Sequence, residues 1–380
     1  MMRCGIEFEY LLVDAEGTTT PGRVRDYSNL PYARIAEWLA ERPGTDDPAL
    51  ATGDLGIKRG YWYLEGDERF HPDGRFRTLE VKGVEIRTPV RPTVAEAVQF
   101  LLKTERQLQA RLRPHGLRLA IAGFNPERAH YTFDPPLNPW EQALRQQHRA
   151  YDGSQVSTLS FGPDINLCGP GWSAWRSLQA ARKLHRCAPY IVPFSFSSPF
   201  QAGGLWAGLS RRTWARAPHR PAVKLYLGPQ DVSAVQGHSA LVHPARLPGE
   251  SGRLEFKAFD AVLSAPLLQA CGDLLVGLCL DRRAEVTRLG DPEDPPDIAI
   301  YRRAAVAGWR DEPIRCVAQQ LLEHAARALR SHGIDDSALE LLQRQLDLRR
   351  TPAEDLRAQG LRNGHGYQPG GLTQFSYLPV

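Results

Sequence analysis

The chain has 380 residues, 42% of them apolar, with 47 lysines and arginines against 43 aspartates and glutamates. That is enough apolar material for a true core, so a disordered protein is excluded, and the length suits one large or two ordinary domains. The net charge of +4 is spread along the chain with no basic block and no aromatic-interleaved RNA motif, which argues against nucleic acid as a partner. Arginines distributed this way suit anionic small molecules. The cysteines (Cys4, Cys168, Cys187, Cys271, Cys279, Cys316) show no CxxC spacing, so a zinc ribbon is not expected, and they read as the reduced thiols of a cytoplasmic protein. The N-terminus has no signal-peptide pattern, and the most apolar run, Leu274 to Leu280, is too short to cross a bilayer.

In chain order, Gly5 to Leu11 predicts a strand. Ile6, Phe8 and Tyr10 face one way, and Glu7 and Glu9 the other. Two carboxylates roughly 6–7 Å apart, by strand rise, repel by about 2.5–3 kcal/mol at an effective dielectric near 20. The strand therefore calls for a positive partner: a metal ion, a cationic substrate or a basic side chain. Residues 14–17 form a turn and 32–42 a short helix. Residues 43–60 are a loop rich in Gly, Asp and Pro, and Tyr61 to Leu64 a strand. Pro72-Asp73-Gly74 turns the chain into a strand over 79–88, with Glu85 and Arg87 opposite Val84 and Ile86. Gly83 is placed to host a bulge that would bring Glu80 to the face of Glu85.

An amphipathic helix is predicted over 93–113, a strand over 117–123 and a short helix near 139–150. A strand over 158–167 alternates Ile165 and Leu167 with Asp164 and Asn166. A helix over 173–187 precedes the Ser/Gly run at 195–204, and a strand over 252–259 carries Arg253, Glu255 and Lys257 on one face. From about 260 to 333 the pattern is helical with a break at 290–296, followed by helices near 335–347 and 352–358 and an irregular tail. Hairpins mixed with helices, rather than regular βαβ units, predict an α+β fold with a curved, mainly antiparallel sheet and helices on its other side. The whole of 1–380 is read as one catalytic domain, with a sheet-forming part over 1–260, a helical part over 261–359 and a tail over 360–380.

One strand with an acidic face is usually a solvated face with salt bridges. Four of them, bearing Glu7 and Glu9, Glu85, Asp164 and Asn166, and Glu255, point to a shared surface lined by oxygen ligands. Such a surface suits magnesium or manganese. Arg87, Arg212, Arg253 and Lys257 would balance phosphate oxygens and a substrate carboxylate there. The chain has no Walker loop, no GxGxxG after a strand, no kinase signature and no GxSxG elbow. The Ser/Gly run around Ser198 could turn backbone N–H groups toward a phosphate, though a plain turn accounts for it as well. His238, His243 and His365 are lone histidines, more often structural than catalytic, and His185 and His219 have no partner spacing. Trp62, Trp172 and Trp206 read as core or pocket walls.

These residues carry a family resemblance. Gly5-Ile6-Glu7-Phe8-Glu9-Tyr10 is similar to the opening strand of the second glutamate–cysteine ligase family. So are residues 79–90, 187–204 with Ser210-Arg211-Arg212, and 252–260 to three later segments of that family, in the same order. The resemblance implies a glutamine-synthetase-like catalytic fold. It also implies ATP-dependent amide formation through an acyl phosphate, with Mg2+ or Mn2+ held by Glu7, Glu9, Glu85 and Glu255. Arg212, Arg253, Lys257 and Ser198 become nucleotide or phosphate contacts, and Arg212, Lys257 and Arg87 catalytic groups.

The chain departs from the family in places. Pro163-Asp164-Ile165-Asn166-Leu167 stands where a histidine-bearing metal segment is expected, so Asn166 or Asp164 would supply an oxygen ligand instead. Gly123-Phe124-Asn125-Pro126 replaces a GTHP segment. Lys257 replaces an arginine, and Val306 stands where another is expected. The reading is therefore an ADP-forming carboxylate–amine ligase, located in the cytoplasm, acting on amino acids or peptides, with a homodimer as the assembly considered. The alternatives are a metal-independent hydrolase with paired carboxylates, or a degraded ligase homologue acting as a binding subunit.

Overall fold

Arg3–Asp14 forms β1, a strand of 12 residues that extends past both ends of the predicted segment. In this computed structural model the described residues are 2–48, 50, 58–147, 154–235, 241–281 and 297–374. Seven more strands matter for the site: β2 (Trp62–Phe70), β3 (Phe76–Arg87), β4 (Leu117–Ile121), β5 (Pro163–Cys168), β6 (Val223–Leu227), β7 (Val242–Pro244) and β8 (Arg253–Phe256). They run in the order β7-β6-β8-β5-β1-β3-β2, with β4 joined to the far end of β1 through Leu11–Asp14. Every neighbouring pair is antiparallel except β6 and β7. The expected α+β fold with a mainly antiparallel sheet is the one adopted.

The alternation in the sequence sorts the two faces. Ile6, Phe8, Tyr10, Val84, Ile86, Ile165, Leu167, Leu254 and Phe256 are buried on the apolar face. Helices α1 (Val94–Leu112) and α3 (Ala174–Ile191) pack against that side. A further helix, α2 (Pro139–Gln147), lies between them in sequence and packs on β2. Helix starts are set by side-chain caps: Thr93 Oγ1 accepts from the Glu96 N–H, and Ser173 Oγ from the Arg176 N–H. Helix α4 (Ala265–Leu280) is apolar on all sides because it runs between α1, α3 and α6 (Glu312–Ser331), the last preceded by α5 (Ile298–Ala307). No helix among the described residues is long and apolar enough to cross a membrane.

Two expectations are adjusted. The strand expected over 158–167 begins only at Pro163, and the carbonyls of Ser157 and Ser160 before it are used to bind a lysine. The helix expected from 260 begins at Ala265, where Ser264, in extended backbone, caps its first turn. The predicted 290–296 break lies outside the described residues. A strand that had not been expected, β6, reads Val-Lys-Leu-Tyr-Leu, a plain period-two alternation.

Between β2 and β3 the register shifts: Glu65 pairs with Gly83, and Gly66 with Val81, so Lys82 is an extra residue at a bulge. The approach is too close for side chains. A Cβ on Gly66 would lie 2.1 Å from the Glu80 carbonyl oxygen, and one on Gly83 2.1 Å from that of Tyr10. The bulge sets Glu80 opposite Asp67, on the face of Glu65 and Glu85, as the sequence suggested for Gly83.

Candidate active site

Residues directly opposite one another in a ladder share a face. Glu7 pairs with Arg87 and with Asp164, Glu9 with Glu85, Asn166 with Glu255, Glu255 with Lys224, Arg253 with Tyr226, and Tyr63 with Glu85. The polar side chains of six adjacent strands therefore line one surface. Two groups of three carboxylates converge on it. Ligand oxygens of Glu7, Asp164 and Glu255 lie within 4.8 Å of one another, and so do those of Glu9, Glu65 and Glu85. Glu7 and Glu255 stand on strands two apart, roughly 9.5 Å at ordinary strand spacing, so their side chains lean inward as on a concave face.

Basic groups divide these carboxylates. Lys257 bonds Asp164 and lies 3.3 Å from Glu255 Oε1. Arg253 lies 3.4 Å from Glu255 Oε1, donates to Asn166 Oδ1 at 2.6 Å, and stacks on Tyr226 with its guanidinium carbon 4.0 Å from the ring centre. Tyr226 donates to Glu255 Oε2 at 3.1 Å. Burial would raise the Glu255 carboxyl, but Lys257, Arg253 and Lys224 outweigh it and hold the group well below the ordinary range. Glu7 moves the other way: burial raises it, and Glu255 and Asp164 add to the rise. Lys224 is pushed down to about 8 by burial and by Lys257.

In the second group, Lys58 bonds Glu65, and Lys82 donates to Glu9 Oε1 at 2.5 Å. Tyr63 donates to Glu85 Oε1 at 2.7 Å. Burial raises Glu85 well above its ordinary value, with Glu65, Glu7 and Glu9 adding to it. Glu65 is lowered, because Lys58 and Lys82 overcome its burial. One carboxyl of this group is thus held toward the protonated form while another is held ionised, which is how a crowded acidic cluster limits its own repulsion.

The same face continues past the bulge as an ion-pair network. Arg69 is fully buried and donates to Glu141 Oε1 at 2.8 Å, Glu80 Oε1 at 2.5 Å and the Pro135 carbonyl at 2.7 Å. Glu141 in turn accepts from the N–H groups of Phe70 and Asn138. This network ties α2 and the loop before it to the end of β2.

The other predicted site residues are placed as follows. Arg87 donates to the carbonyls of Gly60 and Lys58 and lies over the Tyr63 ring. Arg212 is buried and donates to the carbonyls of Ala258 and Lys257, so it supports the backbone that carries Lys257. Ser198 donates to Asp260 Oδ2 at 2.6 Å and accepts from the Arg212 N–H, within a buried group that includes Ser197, Ser210 and Thr213. His185 accepts from the Ala222 N–H through Nδ1, and Trp62 is buried as expected. His243 sits on β7 beside Tyr226. His238 lies outside the described residues. Val306 is exposed.

Glu65, Lys82, Lys224 and Tyr226, with Lys58 and Tyr63 beside them, were not singled out from sequence. For Glu65 the signal was present, since it alternates with Tyr63. For Lys224 and Tyr226 it lay in the period of β6. For Lys82 there was none, because a regular strand would send it to the apolar face.

The sequence profile of Glutamate-cysteine ligase family 2 (GCS2) matches residues 3–225. No curated protein matches the chain. Among solved structures, glutamate–cysteine ligase from Francisella tularensis in complex with AMP is 10% identical, with 96% of this chain and 86% of that one covered and a TM-score of 0.54. The ligase PafA, in its complex with the prokaryotic ubiquitin-like protein Pup, is 14% identical with a TM-score of 0.44, and this chain covers 64% of its length. At these identities the likeness is one of fold, and the fold shared with the Francisella enzyme agrees with the expected glutamine-synthetase-like class.

Proposed function

The chain belongs to glutamate–cysteine ligase family 2, and from that premise and the geometry of the sheet we propose that it is an ATP- and magnesium-dependent carboxylate–amine ligase. The observation that carries this reading is the pair of three-carboxylate groups on one face, each interleaved with lysine or arginine. Carboxylate oxygens converging within 4.8 Å are the hard donors that magnesium and manganese take, so the residues fit such ions. Glu7, Asp164 and Glu255 would hold one ion, and Glu9, Glu65 and Glu85 form the group placed for a second. Asn166 is bonded to Arg253 and would act through it.

Bound divalent ions would supply the charge neutralisation that phosphoryl transfer needs. The remaining work falls to the chain's own groups. Lys257 and Arg253 hold the Asp164 and Glu255 carboxylates in place and offer donors to anionic oxygens beside them. Arg212 fixes the backbone at Lys257. In the proposed reaction an acid substrate attacks the γ-phosphate of ATP, giving an acyl phosphate and ADP, and an amine then displaces phosphate. The acid is an amino acid, and the amine is cysteine, another amino acid or a peptide end. The AMP bound to the Francisella ligase supports a nucleotide in a chain of this fold.

The test is a calorimetric titration with ATP, with and without Mg2+, followed by ADP release across a panel of acids and amines. Magnesium-dependent ATP binding and ADP release with one pair of substrates is the expected result. No nucleotide binding under either condition would sink the ligase reading. ATP binding without turnover for any pair would instead favour a binding subunit, a reading supported by the engagement of Asn166 with Arg253.

A further inference from the structure

The lysines that meet the carboxylates differ in how they are held. Lys257 bonds Asp164 and neighbours Glu255, and Lys58 bonds Glu65; among their bonds in the described structure both meet carboxylates and no main-chain acceptor. Their side chains keep 19% and 28% of their exposure, so each can swing toward solvent when its carboxylate takes up another cation. Lys82 is different. Its ammonium has three N–H donors, and it meets three acceptors: Glu9 Oε1 at 2.5 Å, the Ser160 carbonyl at 2.9 Å and the Ser157 carbonyl at 3.1 Å. Its side chain is only 6% exposed.

The backbone built this arrangement. Lys82 is the extra residue of the β2–β3 bulge, and the glycines at 66 and 83 allow the close backbone approach made there. Without the extra residue, position 82 would point to the apolar face with Val84 and Ile86. The main-chain carbonyls of 157 and 160 close around the ammonium from the segment before β5. Glu9 is committed as well, for its second oxygen, Oε2, accepts from the Gly162 N–H at 3.0 Å. A buried ammonium leaves such a site only by abandoning three hydrogen bonds, and a buried charge without partners is strongly unfavourable.

We propose that the Lys82 ammonium is a resident cation of the active site. It takes, at Glu9, the place that a divalent ion would otherwise occupy, so that the protein binds one divalent ion fewer than its carboxylates could hold. This rests on the metal-dependent reading above and changes one part of it: Glu9 is a partner of Lys82 and not a metal ligand, although its spacing from Glu65 and Glu85 would allow either role. A fixed monovalent charge on a backbone scaffold neutralises Glu9 at every magnesium concentration, which a dissociable ion does not.

The experiment counts Mn2+ bound to the full chain, by electron paramagnetic resonance of the free ion and by calorimetry, for the wild type, Lys82→Met and Glu9→Gln. Glu9→Gln is expected to keep the wild-type number of ions with affinities within about twofold, since the amide oxygen can still accept from Lys82 and only the Gly162 N–H contact is given up. Lys82→Met is expected to bind one Mn2+ more than the wild type. Loss of an ion in Glu9→Gln, or an unchanged count in a folded Lys82→Met, would overturn the proposal while leaving the metal-dependent reading intact. Should Lys82→Met fail to give a native near-ultraviolet circular dichroism spectrum, the Glu9→Gln count decides alone. No Mn2+ on any of the three chains would overturn both.

Discussion

Glu9 and Glu85 stand directly opposite each other on β1 and β3, two acidic side chains in a position where like charges destabilise a sheet. The arrangement persists because Lys82 compensates Glu9 and because Glu85 is held toward its protonated form by burial and by Glu65, Glu7 and Glu9. Glu85→Gln should therefore leave the fold as stable as before, or gain up to about 1 kcal/mol. ADP release should fall by about a hundredfold or more, the order expected for removing one group that stabilises transferred charge. Urea unfolding and ADP assays on the same preparation check both halves; a loss of stability would show that Glu85 is ionised and paired in the folded chain.

Glu7→Gln and Glu255→Gln should both remove ADP formation, yet move stability in opposite directions. Glu255 titrates below its ordinary value of 4.5, so its ionised form stabilises the folded chain above that pH, and the contribution is lost as pH falls through the lowered value. Glu255→Gln is thus destabilising at pH 7, and less so below pH 4. Glu7 is raised, so its ionised form opposes folding, and Glu7→Gln should be neutral or stabilising at pH 7. Urea midpoints of the two variants at pH 7 and pH 4 test the contrast. Turnover at the wild-type rate in either would remove that residue from the site.

Arg69→Met should cost about 3–5 kcal/mol, the range for removing one partner of a buried ion pair and leaving the other uncompensated. Glu141 would be left buried, and α2 would lose its tie to β2. Hydrogen exchange should show faster opening at 139–147 than at β1. Equal protection in variant and wild type would mean that α2 is held by other contacts.

Gly83→Ala should destabilise the chain by about 1–3 kcal/mol or more, because the new Cβ would sit 2.1 Å from a rigid carbonyl oxygen. The same substitution should disturb Lys82 and Glu9 first, so ADP release should fall at temperatures where the variant is still folded. Thermal unfolding followed beside activity separates the two effects. An unchanged melting temperature would contradict the register at the bulge.

The His185 imidazole is lowered to about 4 by burial and by Arg216, and its Nδ1 must be unprotonated to accept from Ala222. The unfolded chain binds this proton near pH 6.5, so stability is complete above that pH and declines as pH falls toward 4. His185→Gln should flatten the urea midpoint over this window relative to the wild type. An identical slope in the two proteins would assign the acid sensitivity elsewhere.

Much of the architecture was legible in the chain itself. Period-two alternation at Ile6, Phe8 and Tyr10 and at Ile165 and Leu167 separates an apolar face from an acidic one whatever the strand order, because side chains on a strand alternate by geometry. The apolar stripe of 94–112 and its Thr93 cap are equally local. So Glu7, Glu9, Glu85, Asp164, Asn166 and Glu255 could be assigned to a polar face from sequence. Which of them meet was a different matter. Glu7 joins Glu255 because β5 separates their strands and the sheet curls, and Glu65 joins Glu9 because β2 pairs with β3. Lys82 was beyond sequence altogether: its direction reverses at a bulge that exists only when β2 and β3 are paired, and its other two partners lie 75 and 78 residues away in the chain. Local alternation determined where charge could go; long-range pairing decided which charges neutralise one another.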